Sequence, residues 1–208
     1  MMSAPANTTA HALAVLLAGV CLLTSTGCGS RGSFSLNDDM PARVARATQL
    51  ANEAQHAEKD GDTSRAIRLY SDAVAAYPDF HPAWNNLGVL LMAEQNYAVA
   101  ADAFRRAAEL APGDPRPVTN LALIYLNRGY DQQAAEYFTQ AIARDNSYLP
   151  ALRESVRLDV RTDRITDITS ERVARALLLE TDLRWIEQLR RYKSQIDQRL
   201  AAQDGLPG

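Results

Sequence analysis

The feature that most restricts what this chain can fold into is a register of small and aromatic residues that recurs every 34 positions. With His81–Asp114 as the frame, stepping one such period either way places Ala54, Gly88 and Ala122 at position 8. Position 20 reads Ala66, Ala100 and Ala134, and position 27 reads Ala73, Ala107 and Ala141. Position 24 reads Tyr70, Phe104 and Phe138; with aromatics at 7% of the chain, a chance triple has odds of roughly 3 in 10,000. Two antiparallel helices approach closely only where side chains are small, and an aromatic then fills the gap between neighbouring pairs. One such pair alone leaves an apolar face bare, so copies must stack.

Within the frame, Trp84, Leu87, Gly88, Ala100, Phe104, Ala107 and Pro112 fall at positions 4, 7, 8, 20, 24, 27 and 32. This spacing resembles the tetratricopeptide repeat, a 34-residue helix-turn-helix unit. The resemblance implies an all-α, right-handed α-solenoid of about three hairpins plus C-terminal capping helices. Its repeats would run over 47–80, 81–114 and 115–148, within a body spanning 41–148, followed by a degenerate helical cap at 149–208. The first repeat is the least typical, with Leu50 where Trp is usual and Glu53 at the apolar position 7. Asp39, Asp62 and Asp131 are candidate N-caps, and Gly61 suits a left-handed helix end. Trp84 is expected to pack between hairpins.

Beyond Leu149 the register lapses, because Ile168 and Arg172 occupy positions 20 and 24. Leu152, Val156 and Val160 predict a helix over about 150–162, Asp163 to Thr169 a loop, and Ser170 the cap of a further helix with a restart or kink at Thr181 or Asp182. Ile186, Leu189, Ile196 and Leu200 form an apolar seam. That seam can fold back to cap the stack, or join two chains into a self-associating dimer through 182–208.

Residues 1–27 read as a signal peptide. Ala12 to Leu23 is an apolar run of the length of a signal core, too short to span a bilayer as a helix. The Thr24-Ser25-Thr26-Gly27-Cys28 ending resembles the lipobox of bacterial lipoproteins, although Ser25 stands where Leu is usual and no Lys or Arg precedes the apolar run. The resemblance implies acylation of Cys28 and, with Gly29 rather than Asp after it, anchoring at the outer membrane facing the periplasm. The alternative is a secretory signal cut at another small residue, leaving a soluble periplasmic protein with Cys28 as an ordinary thiol. Cys21, the only other cysteine, lies within the apolar run, so cleavage leaves Cys28 without an intrachain partner. Residues 28–40 then read as a lipidated cysteine and a Gly- and Ser-rich flexible tether.

A formal charge of −3 gives no basic excess, which argues against nucleic acid as a ligand. Three histidines and two cysteines offer little to a metal, and no catalytic motif surrounds His56 or His81. The expectation is therefore no enzyme, no cofactor and no metal, but a protein or peptide partner. In the family it resembles, the first helix of each hairpin lines a concave groove. Position 6 reads Asn52, Asn86 and Asn120, amides able to hold an extended peptide backbone or to bond within the scaffold. Val89, Met92, Leu123 and Leu126 would form an apolar floor beside them, with Asn127 at its edge. The Lys, Arg and Asn set with which chaperone-binding members clamp a C-terminal carboxylate is not matched, since only Lys59 and Arg116 appear, in other columns. The chain as a whole reads as a membrane-anchored interaction scaffold or assembly factor of the cell envelope.

Overall fold

A computed structural model describes residues 39–205, so the signal-like segment, Cys28 and most of the tether lie outside the described residues. Among the described residues the secondary structure is helical: α1 (Met40–Lys59), α2 (Thr63–Ala76), α3 (His81–Ala93), α4 (Tyr97–Leu110), α5 (Pro115–Asn127), α6 (Asp131–Arg144), α7 (Leu149–Arg161), α8 (Asp167–Leu179) and α9 (Leu183–Asp204). The helices pair as antiparallel hairpins, α1 with α2, α3 with α4, α5 with α6 and α7 with α8, and each hairpin packs on the next.

Packing follows the repeat register. Tyr70, Phe104 and Phe138 are fully buried, as are the alanines at positions 20 and 27. A Cβ placed on Gly88 would lie 2.6 Å from Phe104 Cε1, so this crossing tolerates no side chain at all. Proline opens α3, α5 and α7, where the first turn has no N–H partner to lose. The Asp62 carboxylate caps α2 by accepting from the Arg65 amide at 3.0 Å. Asp39 and Asp131 do not cap: Asp39 makes no side-chain bond to the helix end, and Asp131 lies inside α6 and pairs with Arg161 instead.

The hairpin turns repeat as strictly as the cores. Gly61, Gln95, Gly129 and Asp163 all have positive φ, and they occupy one and the same position of successive repeats. Each precedes an amide that closes the helix end: Asp62 N donates to Ala57 O, Asn96 N to Leu91 O, Tyr130 N to Tyr125 O and Arg164 N to Asp159 O, at 2.8–2.9 Å. The first helices α3, α5, α7 and α9 begin at His81, Pro115, Leu149 and Leu183, again one repeat length apart.

The repeat geometry therefore continues past Leu149, where the side-chain pattern breaks. The α7–α8 turn is longer than its counterparts, so α8 starts at Asp167 and is capped by Thr166 rather than Ser170. Within α8 the buried residues are Thr169, Val173 and Ala176, which reproduce the 4-then-3 spacing of Ala100, Phe104 and Ala107 one residue out of phase. The expected loop over Asp163 to Thr169 shortens to 162–166. Helix α9 occupies the place of a fifth first helix and packs on α7 and α8 through Leu189 and Ile196, both fully buried. Burying each stabilises this end by about 1.5–3 kcal/mol. The apolar seam is thus covered within the chain, and its central residues are not available to a second copy.

Candidate functional site

The first helices form a contiguous row, since α3 touches α5, α5 touches α7 and α7 touches α9, whereas no second helix packs on the next to a comparable extent among the described residues. A stack whose helices crowd on one side bends toward that side, so the first-helix row is its inner face. Val89 is 38% exposed there; Met92, Leu123 and Leu126 are half-buried and Asn127 is exposed. Met92 leans on the cluster around Phe104 and Leu121, while Leu123 and Leu126 lean on the cluster around Phe138 and Val118. The floor is therefore a broad apolar face, each part of which is backed by a different hairpin.

Two of the three column-6 amides are bonded into the scaffold. Asn120 Nδ2 donates to Asn85 Oδ1 at 3.1 Å, Asn85 Nδ2 donates to Asn86 Oδ1 at 3.3 Å, and Asn86 Nδ2 donates to the Tyr70 hydroxyl at 3.2 Å. The Tyr70 hydroxyl in turn donates to Glu58 Oε1 at 2.5 Å. Burial, followed by the Glu58 hydrogen bond, pushes the Tyr70 phenol well above its usual range and keeps it a neutral donor. This relay ties α1, α2, α3 and α5 together. Asn52 is exposed and stands outside it. Trp84 is half-buried against the α1–α2 cluster, and its indole N–H donates to Pro78 O at 2.7 Å.

One part of this row was not singled out in the sequence. Between α7 and α9 lies a cleft of about 480 Å³ lined by Arg157, Arg184, Trp185, Gln188 and Tyr192. Its wall is rigidly held. The Arg153 guanidinium lies 4.7 Å over the Trp185 ring, and Arg153 Nε donates to Glu180 Oε2 at 2.5 Å. Glu180 is buried and also accepts from the Thr181 and Asp182 amides, both at 2.9 Å. Burial pushes its carboxyl up, but the Asp182 amide and the Arg153 guanidinium outweigh that and hold it below the usual carboxylate range. Carrying the repeat count through Leu149 and Leu183 would have located these residues: Arg157 shares the column of Val89 and Leu123, and Gln188 that of Asn86 and Asn120.

His56 is exposed and His81 half-buried. Among the described residues no group of three His, Cys, Asp or Glu could hold a metal ion, and no helix is long and apolar enough to cross a membrane.

Tetratricopeptide-repeat family descriptions match residues 52–115 and 118–147. The chain is a tetratricopeptide-repeat protein. Its first three hairpins carry the matched residues, while α7–α9 extend the same geometry beyond them. It is 32% identical over 82 residues to BBSome complex member BBS4 of Mus musculus, covering 39% of this chain and 16% of that one. It is 33% identical over 82 residues to the peroxisomal targeting signal receptor of Eremothecium gossypii, covering 39% of this chain and 14% of that protein. The matched stretch is thus about a sixth or less of each of these relatives. Among solved structures, MamA is similar at a TM-score of 0.58 and 17% identity, covering 75% of this chain and 87% of MamA. The first repeat domain of Spaghetti (RPAP3), bound to the HSP90 peptide SRMEEVD, is similar at a TM-score of 0.54 and 15% identity over 58% of this chain and 95% of that one. At these identities the solved structures speak for the fold.

Proposed function

We propose that this protein is a scaffold or assembly factor that docks a partner protein along its first-helix row and is held at a membrane of the cell envelope by an acylated Cys28. The observation that supports docking is the row itself: helices packed side by side, presenting exposed Val89 and half-buried Met92, Leu123 and Leu126 on one face. An apolar floor of this kind suits an amphipathic helix or an extended apolar segment. Relatives with the same repeats include a BBSome complex member and a peroxisomal targeting signal receptor, which favours binding over catalysis.

The anchor rests on the lipobox-like run Thr24 to Cys28, and the outer membrane facing the periplasm is the location that Gly29 favours. Two acyl chains hold a protein at a bilayer where one does not. Two experiments separate the parts of this reading. Val89→Glu, and Met92→Glu with Leu123→Glu, should weaken binding of the native partner at least tenfold at unchanged helix content; undiminished binding would refute the docking row. Palmitate labelling should vanish in Cys28→Ser, and label that persists would refute the anchor.

A further inference from the structure

We infer that the α7–α9 cleft is a second recognition site on this row, one that takes an acidic peptide segment carrying an aromatic or apolar side chain. The inference rests on the docking reading, since the cleft lies on the same row, and it names the chemistry of the partner at one end. The lining residues supply two guanidinium groups, one amide and two aromatic rings, and no carboxylate. Arg184 is 92% exposed and pairs with Asp182 two residues before it at 3.2 Å, and Arg157 is half exposed and pairs with Glu154 one turn back on its own helix. Both can fork onto a ligand carboxylate without unpacking anything. Trp185, pinned from behind by Arg153, and Tyr192 form the apolar wall between them.

The charge distribution of the chain supports this end as the acid-binding one. Residues 39–148 carry 10 Lys and Arg against 14 Asp and Glu, while residues 149–205 carry 11 against 10. On α7 the arginines Arg153, Arg157 and Arg161 recur every fourth residue, in the columns where α3 carries Asn85, Val89 and Ala93. The row therefore changes from apolar at its middle to cationic at its C-terminal end. A partner that follows it would be apolar first and acidic after. An aromatic-walled, doubly cationic cleft discriminates against basic segments by like-charge repulsion and against purely polar ones by leaving its rings uncovered.

The test is fluorescence anisotropy with the full chain and three fluorescein-labelled peptides, each with a central Phe-Leu pair flanked by four Glu, four Gln or four Lys. The Glu peptide should bind at least tenfold more tightly than the Gln peptide, and the Lys peptide should not bind. Arg157→Gln with Arg184→Gln, both solvent-facing changes, should weaken the Glu peptide at least tenfold and flatten its salt dependence. Val89→Glu should leave its binding within twofold, so failure of the cleft and failure of the docking row remain distinguishable. Equal binding of the Glu and Gln peptides, or binding unaffected by the arginine changes, would overturn the inference. So would tighter binding of a short oligothymidylate, which would mark a general polyanion surface.

Discussion

The α3–α4 and α7–α8 hairpins share a backbone plan and differ in nearly every residue that builds it. Both open on a first helix of 13 residues and close it with a left-handed residue, Gln95 or Asp163, followed by the same amide-to-carbonyl bond. In α3–α4 the crossing is made by the smallest and one of the largest residues, Gly88 against Phe104. In α7–α8 the matching places carry Val156 and Val173, both fully buried in one cluster. Two medium side chains replace a void and a filler. What the repeat requires is a total volume at the crossing, and the familiar small-aromatic pair is one way of dividing it.

The comparison breaks most sharply at that crossing. Gly88→Val should destabilise the chain by about 3 kcal/mol through overpacking, and Phe104→Val by about 3 kcal/mol through the cavity it leaves. Combined, they import the α7–α8 solution, and the double variant should recover about 2 kcal/mol of the summed loss in a double-mutant cycle read by urea unfolding. Strict additivity would show that the two hairpins are not interchangeable at this point.

A smaller effect is expected at the turns. Gln95 and Asp163 hold φ of 60° and 53° where the equivalent residues Gly61 and Gly129 are glycine. Gln95→Gly should raise stability by about 0.5–1 kcal/mol, and Asp163→Gly by less, because Asp tolerates the left-handed region better than Gln. Equal gains would place the strain in the backbone plan rather than in the residue.

The smallest effect concerns column 6, where Glu154 replaces the amide of Asn86 and Asn120. Glu154 Oε2 is buried, with the Arg157 guanidinium as its ion-pair partner but no well-aligned hydrogen bond, and burial pushes its carboxyl above the usual range against the pull of Arg157 and Arg153. An acid whose folded-state pKa is raised costs stability once pH rises through that window, and the cost disappears on acidification. Glu154→Gln should therefore stabilise the chain by about 0.5 kcal/mol near pH 7, with the gain vanishing by about pH 4, as urea midpoints at the two pH values would register. Asp159, also raised by burial, contributes the same slope with or without the substitution.

These differences explain what could be read from the sequence. Side-chain volume repeats in the first three hairpins, so their columns and the fold class were legible from Ala54, Gly88 and Ala122 against Tyr70, Phe104 and Phe138. In the fourth hairpin the register survives only in the backbone, because a longer turn shifts α8 by one column and places Thr169 and Val173 where Ile168 and Arg172 were counted. The exposed apolar residues of the row, Val89 above all, were readable from column position. The bonding of Asn86 and Asn120 into the scaffold was not, because whether an amide faces a peptide or a neighbouring Asn85 depends on distances between helices that column counting does not contain. The α7–α9 cleft was hidden for the same reason as the fourth hairpin that forms one of its walls.

Both hairpins present their first helix to the same face, one apolar through Val89 and the other cationic through Arg157, and that shared face carries the functional reading. Its most direct test is site-specific photo-crosslinking in intact cells, with benzoylphenylalanine placed at Val89, Leu123 or Arg157 on the inner row and at Arg68, Arg105 or Gln140 on exposed positions of the outer row. Partner adducts should form from the three inner positions and from none of the outer ones. Adducts from Arg68, Arg105 or Gln140 without any from Val89, Leu123 or Arg157 would contradict that reading.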